Sequence, residues 1–267
     1  MKNISSWIRR GLILCALGTV LLLNGCASVS APDKRDPWES MNRSIYAFND
    51  GFDRAIARPV AQTYKDYTPN VVQTGVSNFF SNLDDILVTV NDLLQFKFKQ
   101  AAQDLGRFAF NTTAGLFGLI DVASHMDFPK HNEDFGQTLA TWGVGSGPYV
   151  MLPFLGPSTL RDTGGLAADW QIDPVYAIND TEARWSVIVL RAVDTRARYL
   201  EATKIMEKSG IDPYVFLRNA YLQQRENLIY DGNPPTPAAP KVQPPSKSDL
   251  ELEQELDKEL QLDTPTK

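Results

Sequence analysis

The chain has 267 residues, 43% of them hydrophobic, with two cysteines, two histidines and a net charge of −6. That length allows one large domain or two small ones with a substantial core, while Cys15 and Cys26 alone exclude a disulfide framework or a cysteine-based metal site. The acidic balance argues against nucleic acid, whose phosphates require a basic surface.

Lys2, Arg9 and Arg10 precede an uncharged apolar run at 11–23. At about 1.5 Å per residue the run reaches roughly 20 Å, short of the roughly 30 Å of a bilayer core. It reads as a secretion signal, not a permanent span. The run ends in Leu23-Asn24-Gly25-Cys26, which resembles the bacterial lipobox. Residues 1–25 are then a lipoprotein signal peptide and Cys26 is the lipidated residue. Ala27 follows the cysteine where an inner-membrane retention signal usually carries Asp, which points to the outer membrane. Residues 26–35 form a short polar tether.

Asp36-Pro37-Trp38-Glu39 reads as a helix start, with Asp as cap and Pro at the first helical position. Trp38, Met41, Ile45, Phe48 and Phe52 follow as one apolar stripe, and Arg58-Pro59 is expected to end the helix. Val76, Phe79, Phe80, Leu83, Ile86, Leu87, Val90, Leu93 and Leu94 fit a second helix over about five turns. Its other face carries Asp84, Asp85, Asn91 and Asp92. A third helix is expected at 100–110. Asn179-Asp180-Thr181-Glu182 opens a long helix closed by Ser209-Gly210. Asp212-Pro213 starts a last helix through about Ile229, with Tyr214, Leu217, Tyr221 and Leu228 on one side. Strand-like alternation is scarce, so the domain at 36–231 is all-α. Residues 232–267 are a proline-rich, then acidic tail. It reads as disordered, although Leu252, Leu256 and Leu260 also allow a short helix formed on a partner.

Residues 135–160 hold no charge, yet glycines and prolines recur through them, which opposes a continuous spanning helix. Tyr149 to Leu155 are apolar and bracketed by Gly147-Pro148 and Gly156-Pro157, so a hairpin-like excursion fits better. Such backbone at membrane depth must be covered by protein or line a cavity. A second uncharged stretch, 108–120, contains Gly115 and Gly118. Two such stretches in a tethered protein point toward lipid contact.

His125 and His131 lack the neighbours of a metal site and read as surface loop residues. Gly145-Ser146-Gly147 fails the nucleophile-elbow pattern, and no phosphate-binding loop occurs. A phospholipase would have to pair Ser146 or Ser158 with one of two histidines, so the chain does not read as an enzyme. Arg161-Asp162 has two readings, a phosphate contact or a structural ion pair. Trp38, Trp142, Trp170 and Trp185 suit either a membrane interface or ordinary packing.

The segments Asp36-Pro37 with Met41-Asn42-Arg43-Ser44-Ile45-Tyr46-Ala47-Phe48-Asn49, the stretch from Gly143 to Asp162, and Asp212-Pro213-Tyr214 with Arg218-Asn219-Ala220-Tyr221 occur in a fixed order. Together they resemble the MlaA, or VacJ, outer-membrane lipoproteins over 36–231. The resemblance implies a ring of helices in the inner leaflet of the outer membrane around an amphipathic channel. In that family, phospholipids mislocalised to the outer leaflet pass through the channel to a soluble MlaC-like periplasmic carrier, beside trimeric porins. It implies no cofactor and no metal. Gly145, Gly147, Pro148, Tyr149, Leu152, Pro153, Phe154, Gly156, Leu160, Arg161 and Asp162 would form the gating or lining hairpin. Asn42, Tyr46, Phe48 and Asn49 would shape the channel entrance. The remaining alternative is a scaffolding lipoprotein associated with porins.

Overall fold

The structure is a computed structural model that describes residues 33–208 and 210–235. The signal, Cys26, most of the tether and the acidic tail lie outside the described residues, as does Ser209. The helices are α1 (Glu39–Phe52), α2 (Arg58–Tyr67), α3 (Asn70–Leu94), α4 (Phe98–Thr113), α5 (Phe135–Thr141), α6 (Leu160–Ile172), α7 (Thr181–Arg198), α8 (Leu200–Lys208) and α9 (Pro213–Ile229). The described residues hold one sheet, a hairpin of β1 (Tyr149–Leu152) and β2 (Gly156–Thr159). The all-α reading therefore holds, with the hairpin as its one extended element.

Several boundaries follow from local chemistry. The Asp180 carboxylate accepts from the Ala183 amide and opens α7, and Asp212 accepts from Tyr214 and Val215 to open α9. The helix expected to run from 181 to Ser209 is interrupted at Tyr199, and Gly210 takes the left-handed φ of +70°. Arg58-Pro59 does not end the first helix. A π-helical turn (Asp53–Ala57) leads from α1 into α2, with the Arg58 amide bonded to the Asp53 carbonyl. Proline has no N–H for the ordinary ladder, and the wider turn just before it absorbs that interruption.

The helices pack in a closed circuit. α1 continues into α2, α2 lies on α7, and α7 on α3. From α3 the path runs through α5 to α9, then through the hairpin back to α1. The α4 helix returns along α3. The circuit is also tied by charge, because Arg196 on α7 grips Asp53 at the π-turn through Nε and Nη2.

The distribution of polarity is reversed. Among the described residues, twenty-three polar or charged side chains are buried and only eleven apolar ones. In an ordinary soluble domain, Asp, Glu and Arg are rarely buried unless paired, and Leu, Ile and Phe fill the interior. On α3 the buried positions include Asn82, Asp85, Asn91 and Asp92, while Leu93 is exposed and most of the expected apolar stripe is at best half-buried. The helical period of that sequence is correct; the acidic side, not the leucine side, faces inward. The same holds for α1, where Asn42 and Glu39 are buried and Trp38, Met41, Phe48 and Phe52 are exposed. No described helix is long and apolar enough to cross a membrane.

Candidate functional site

The uncharged stretch 135–160 folds as α5, a loop, and the hairpin. In the hairpin, Tyr149 pairs with Thr159 and Leu152 with Gly156. Pro153, Phe154 and Leu155 form its tip. Gly156 takes φ +87°, a region open to glycine without strain, whereas Phe154 at +63° is held there against steric cost. The base is buried and the tip is not: Tyr149 is fully enclosed, while Phe154 is 64% exposed. At the base, Gly147 has φ +66° and the Leu160 amide bonds the Pro148 carbonyl. Gly145 lies in the preceding loop with open space where a Cβ would stand. Leu160 is exposed.

Two asparagines on α1, seven residues apart, fasten the hairpin. Asn42 donates to the Tyr149 carbonyl and accepts from the Met151 amide, at 3.1 and 2.8 Å. Asn49 donates to the Leu152 carbonyl and accepts from the Phe154 amide, both at 2.9 Å. A side-chain amide thus supplies the donor–acceptor pair that a third strand would supply. Phe48 and Phe52 meet the Phe154 ring edge-on at centroid distances of 5.1 Å, and Tyr46 meets Tyr214 at 5.9 Å. The residues expected at an entrance on α1 are therefore brought together with the hairpin.

The base of the hairpin is held by α9. Tyr214, Arg218, Tyr221 and Arg225 repeat a Tyr-x-x-x-Arg unit at seven-residue spacing, so both units lie on one helix face. The first unit grips Asp36, whose carboxylate accepts from the Tyr214 hydroxyl, from Arg218 Nη1 at 2.9 Å and from Asn42 Nδ2 at 2.8 Å. Asp36 is consequently not the cap of α1, and no side chain caps that helix. Its neighbours Asp33 and Arg35 also join the domain: Asp33 pairs with Arg218, and the Arg35 carbonyl accepts from the Tyr149 amide. The tether is thus built into the fold from Asp33 onward.

The second unit grips Asp162, which accepts from the Tyr221 hydroxyl at 2.8 Å and from Arg225 Nη2 at 2.9 Å. Arg161 adds Nε and Nη2 to the same carboxylate, and Arg225 also holds Asp134 through two nitrogens. Burial alone would raise the Asp162 pKa, but the Arg225 charge and bonds from Arg225, Thr159 and Tyr221 bring it below its ordinary value. Arg161-Asp162 is therefore a structural ion pair in this state. Gly136 makes room for the network, since a Cβ there would stand 2.3 Å from Arg225 Nη2. Sequence reading placed Arg218 in a family motif without giving it a role and missed Arg225; the signal for both is the repeated Tyr-x-x-x-Arg spacing.

The other candidate groups lie elsewhere. His125 is on the surface, whereas His131 is bonded through Nδ1 to buried Asp104 at 2.7 Å and is more than a loop residue. No group of metal-ligating side chains occurs among the described residues. All four tryptophans considered above are exposed, and Trp142 donates to the Leu94 carbonyl.

A family-wide sequence profile described as MlaA lipoprotein matches residues 34–228. The chain belongs to the MlaA lipoprotein family. It is similar to two family members described as intermembrane phospholipid transport system lipoprotein MlaA. One is from Shigella flexneri, at 41% identity over 225 residues, covering 81% of this chain and 88% of the relative. The other is from Escherichia coli K12, at 40% over 232 residues with the same coverage. A solved structure described as the structural basis for maintenance of bacterial outer membrane lipid asymmetry superposes with a TM-score of 0.65. It is 36% identical and covers 74% of this chain and 99% of its own. The MlaA match spans α1, the hairpin and most of α9, so the elements that build the site are those the family shares.

Proposed function

We propose that this protein is an outer-membrane lipoprotein that takes mislocalised phospholipids from the outer leaflet, through an amphipathic path beside the hairpin, and hands them to a soluble periplasmic carrier. It acts as a conduit and not as an enzyme. The observation that carries this reading is the reversed polarity: charges inside, most of them paired, and large apolar side chains outside. Exposed phenylalanines are unfavourable in water at about 25 cal/mol per Å² of apolar surface and carry no such cost in hydrocarbon.

The turn tips extend the argument. Phe96, Leu116, Phe117 and Phe154 all adopt left-handed backbone that is strained for bulky side chains, and all are strongly exposed. Phe96 and Phe98 lie before and at the start of α4, and Leu116 and Phe117 just beyond its end. That helix of 16 residues is about 24 Å long. One leaflet's hydrocarbon is roughly 15 Å deep, half of the bilayer core. Within one leaflet both ends of α4 reach lipid when the helix lies nearer the membrane plane than the membrane normal, a geometry that suits a ring of helices embedded in the inner leaflet.

A lipid with two long acyl chains is costly to expose, at about 0.8 kcal/mol per CH₂, so transfer needs a sheltered route. The hairpin supplies apolar surface at its tip and the asparagine-bearing face of α1 supplies polar groups. The family resemblance extends to a soluble carrier and a neighbouring trimeric porin as partners. The test is transfer of radiolabelled phospholipid from vesicles bearing the mature lipoprotein to a soluble periplasmic acceptor, with product chromatography. Intact lipid on the acceptor supports the conduit. Lysolipid or free fatty acid replaces it with a phospholipase. Folded protein that transfers nothing to a competent acceptor favours a scaffold.

A further inference from the structure

A cavity of about 520 Å³ lies between the loop at 143–146 and one face of α9. Its size falls within the range of small-ligand sites, roughly 300–1,000 Å³. Its wall includes Arg35, Arg161 and Arg225 together with Ser146, Asn219 and Glu226. Leu222 and Ile229, on the same helix, add an apolar patch.

The donors there are incompletely used. Arg161 directs Nε and Nη2 to Asp162, and its Nη1 keeps only a long 3.4 Å contact with the Val144 carbonyl. Arg225 is already committed, its Nη1 and Nη2 holding Asp134 and Asp162, so the open donors there belong to Arg161 and Arg35. Guanidinium edges of this kind match phosphate oxygens in geometry and charge.

The charge count narrows the ligand. Behind the wall Arg161 pairs with Asp162, Arg225 with Asp134 and Asp162, and Arg35 with Asp33, which Arg218 shares. Glu226 is left over: it is exposed on the cavity wall and takes part in no ion pair among the described residues, although Arg35 lies within reach of its field. A wall with open guanidinium donors and one carboxylate outside any ion pair suits a group that brings both a phosphate and its own cation. An anionic headgroup would leave the Glu226 carboxylate without a cation and beside a second negative charge.

We infer that this cavity receives the headgroup of a zwitterionic phospholipid with a primary ammonium, its phosphate against Arg35 and Arg161 and its ammonium at Glu226. The inference rests on the conduit reading above and names the lipid class that the conduit prefers. The ammonium contributes three donors, all of which a carboxylate and neighbouring amide oxygens can accept. The apolar patch then faces the first carbons of the acyl chains.

The test uses the full mature lipoprotein in vesicles of equal parts phosphatidylethanolamine and phosphatidylglycerol, with a soluble carrier. Lipids reaching the carrier are counted by class, and each variant is compared with wild type so that the carrier's own bias cancels. Glu226→Gln should lower the ethanolamine-to-glycerol ratio about threefold, the scale of one partly exposed ion pair. Glu226→Lys should lower it further. Arg35→Gln should reduce transfer of both classes alike, because both carry the phosphate. An unchanged ratio in both Glu226 variants, with lipid still transferred, overturns the headgroup assignment and leaves the conduit standing. No transfer of either class by wild type to a competent carrier overturns the conduit and the inference with it. Full competition by soluble glycerophosphoethanolamine would show a site for the free headgroup and overturn the lipid assignment.

Discussion

Asn49→Ala removes two hydrogen bonds at the hairpin tip, where the freed Leu152 carbonyl and Phe154 amide sit beside half-exposed or exposed side chains. The expected loss is about 1–2 kcal/mol, confined to the tip. Amide exchange should accelerate at Phe154 and stay slow at Tyr149. Asn42→Ala is the stronger change, because Asn42 is fully buried and also bonds Asp36. Leaving the Tyr149 carbonyl and the Met151 amide buried without this partner, and removing one of three donors from Asp36, should cost about 3 kcal/mol of global stability, read as the unfolding midpoint in detergent.

Buried Asp92 supplies a pH dependence at the same scale. Burial, followed by neighbouring Asp104 and Glu133, pushes its pKa up to about 8. A carboxyl whose pKa is raised in the folded state holds its proton there while the unfolded chain has lost it. Its stabilising share is full below the ordinary value near 4 and is lost as pH rises through about 8. The unfolding midpoint should therefore fall as pH rises from about 4 to about 8, and Asp92→Asn should remove much of that fall. A wild-type midpoint that climbs over this interval contradicts the assignment.

At the scale of elements, α9 and the hairpin behave as one unit. Arg225→Ala leaves Asp134 without its cation and Asp162 with Arg161 and Tyr221 alone, and because Asp134 is partly exposed the expected loss is about 2–3 kcal/mol. Gly136→Ala should approach that effect without touching a charge, since its methyl group would displace Arg225. Both are checked by thermal unfolding. Leu152→Asp acts differently: on a half-buried strand position it should abolish lipid transfer and leave membrane anchoring intact. Normal transfer by the folded variant removes the hairpin from the mechanism. Much of this level was legible in sequence. The period of α3, the caps Asp180 and Asp212, and the breaker-rich hairpin all follow from local chemistry. The Asp36 cap did not, because Asp-Pro before a helix has the same spelling whether the carboxylate turns to its own amides or to a distant arginine.

At the scale of the molecule, periodicity separates two faces of a helix but does not say which faces inward. The solvent decides that. The leucines of α3 would face a core in water; with a charged interior they face outward, and Asp85, Asn91 and Asp92 take the buried side. An embedded ring predicts that brominated lipids quench the exposed tryptophans, Trp142 and Trp185 among them, whereas protein-covered indoles would keep their emission. The tail is a separate matter: deleting residues 234–267 should weaken carrier docking more than membrane binding.

The grip of α9 on Asp36 spans 178 residues to Tyr214 and 182 to Arg218. Contacts of such separation form late, because the intervening loop must close first. A chain delivered from its N-terminus therefore presents Asp36, Asn42 and the hairpin long before their last partner arrives. Until then it carries buried-to-be charges without counterions and bare phenylalanine tips, a state that invites aggregation. A chain that ends before Tyr214 lacks both Tyr-x-x-x-Arg locks and should be cleaved faster than the full chain in limited proteolysis.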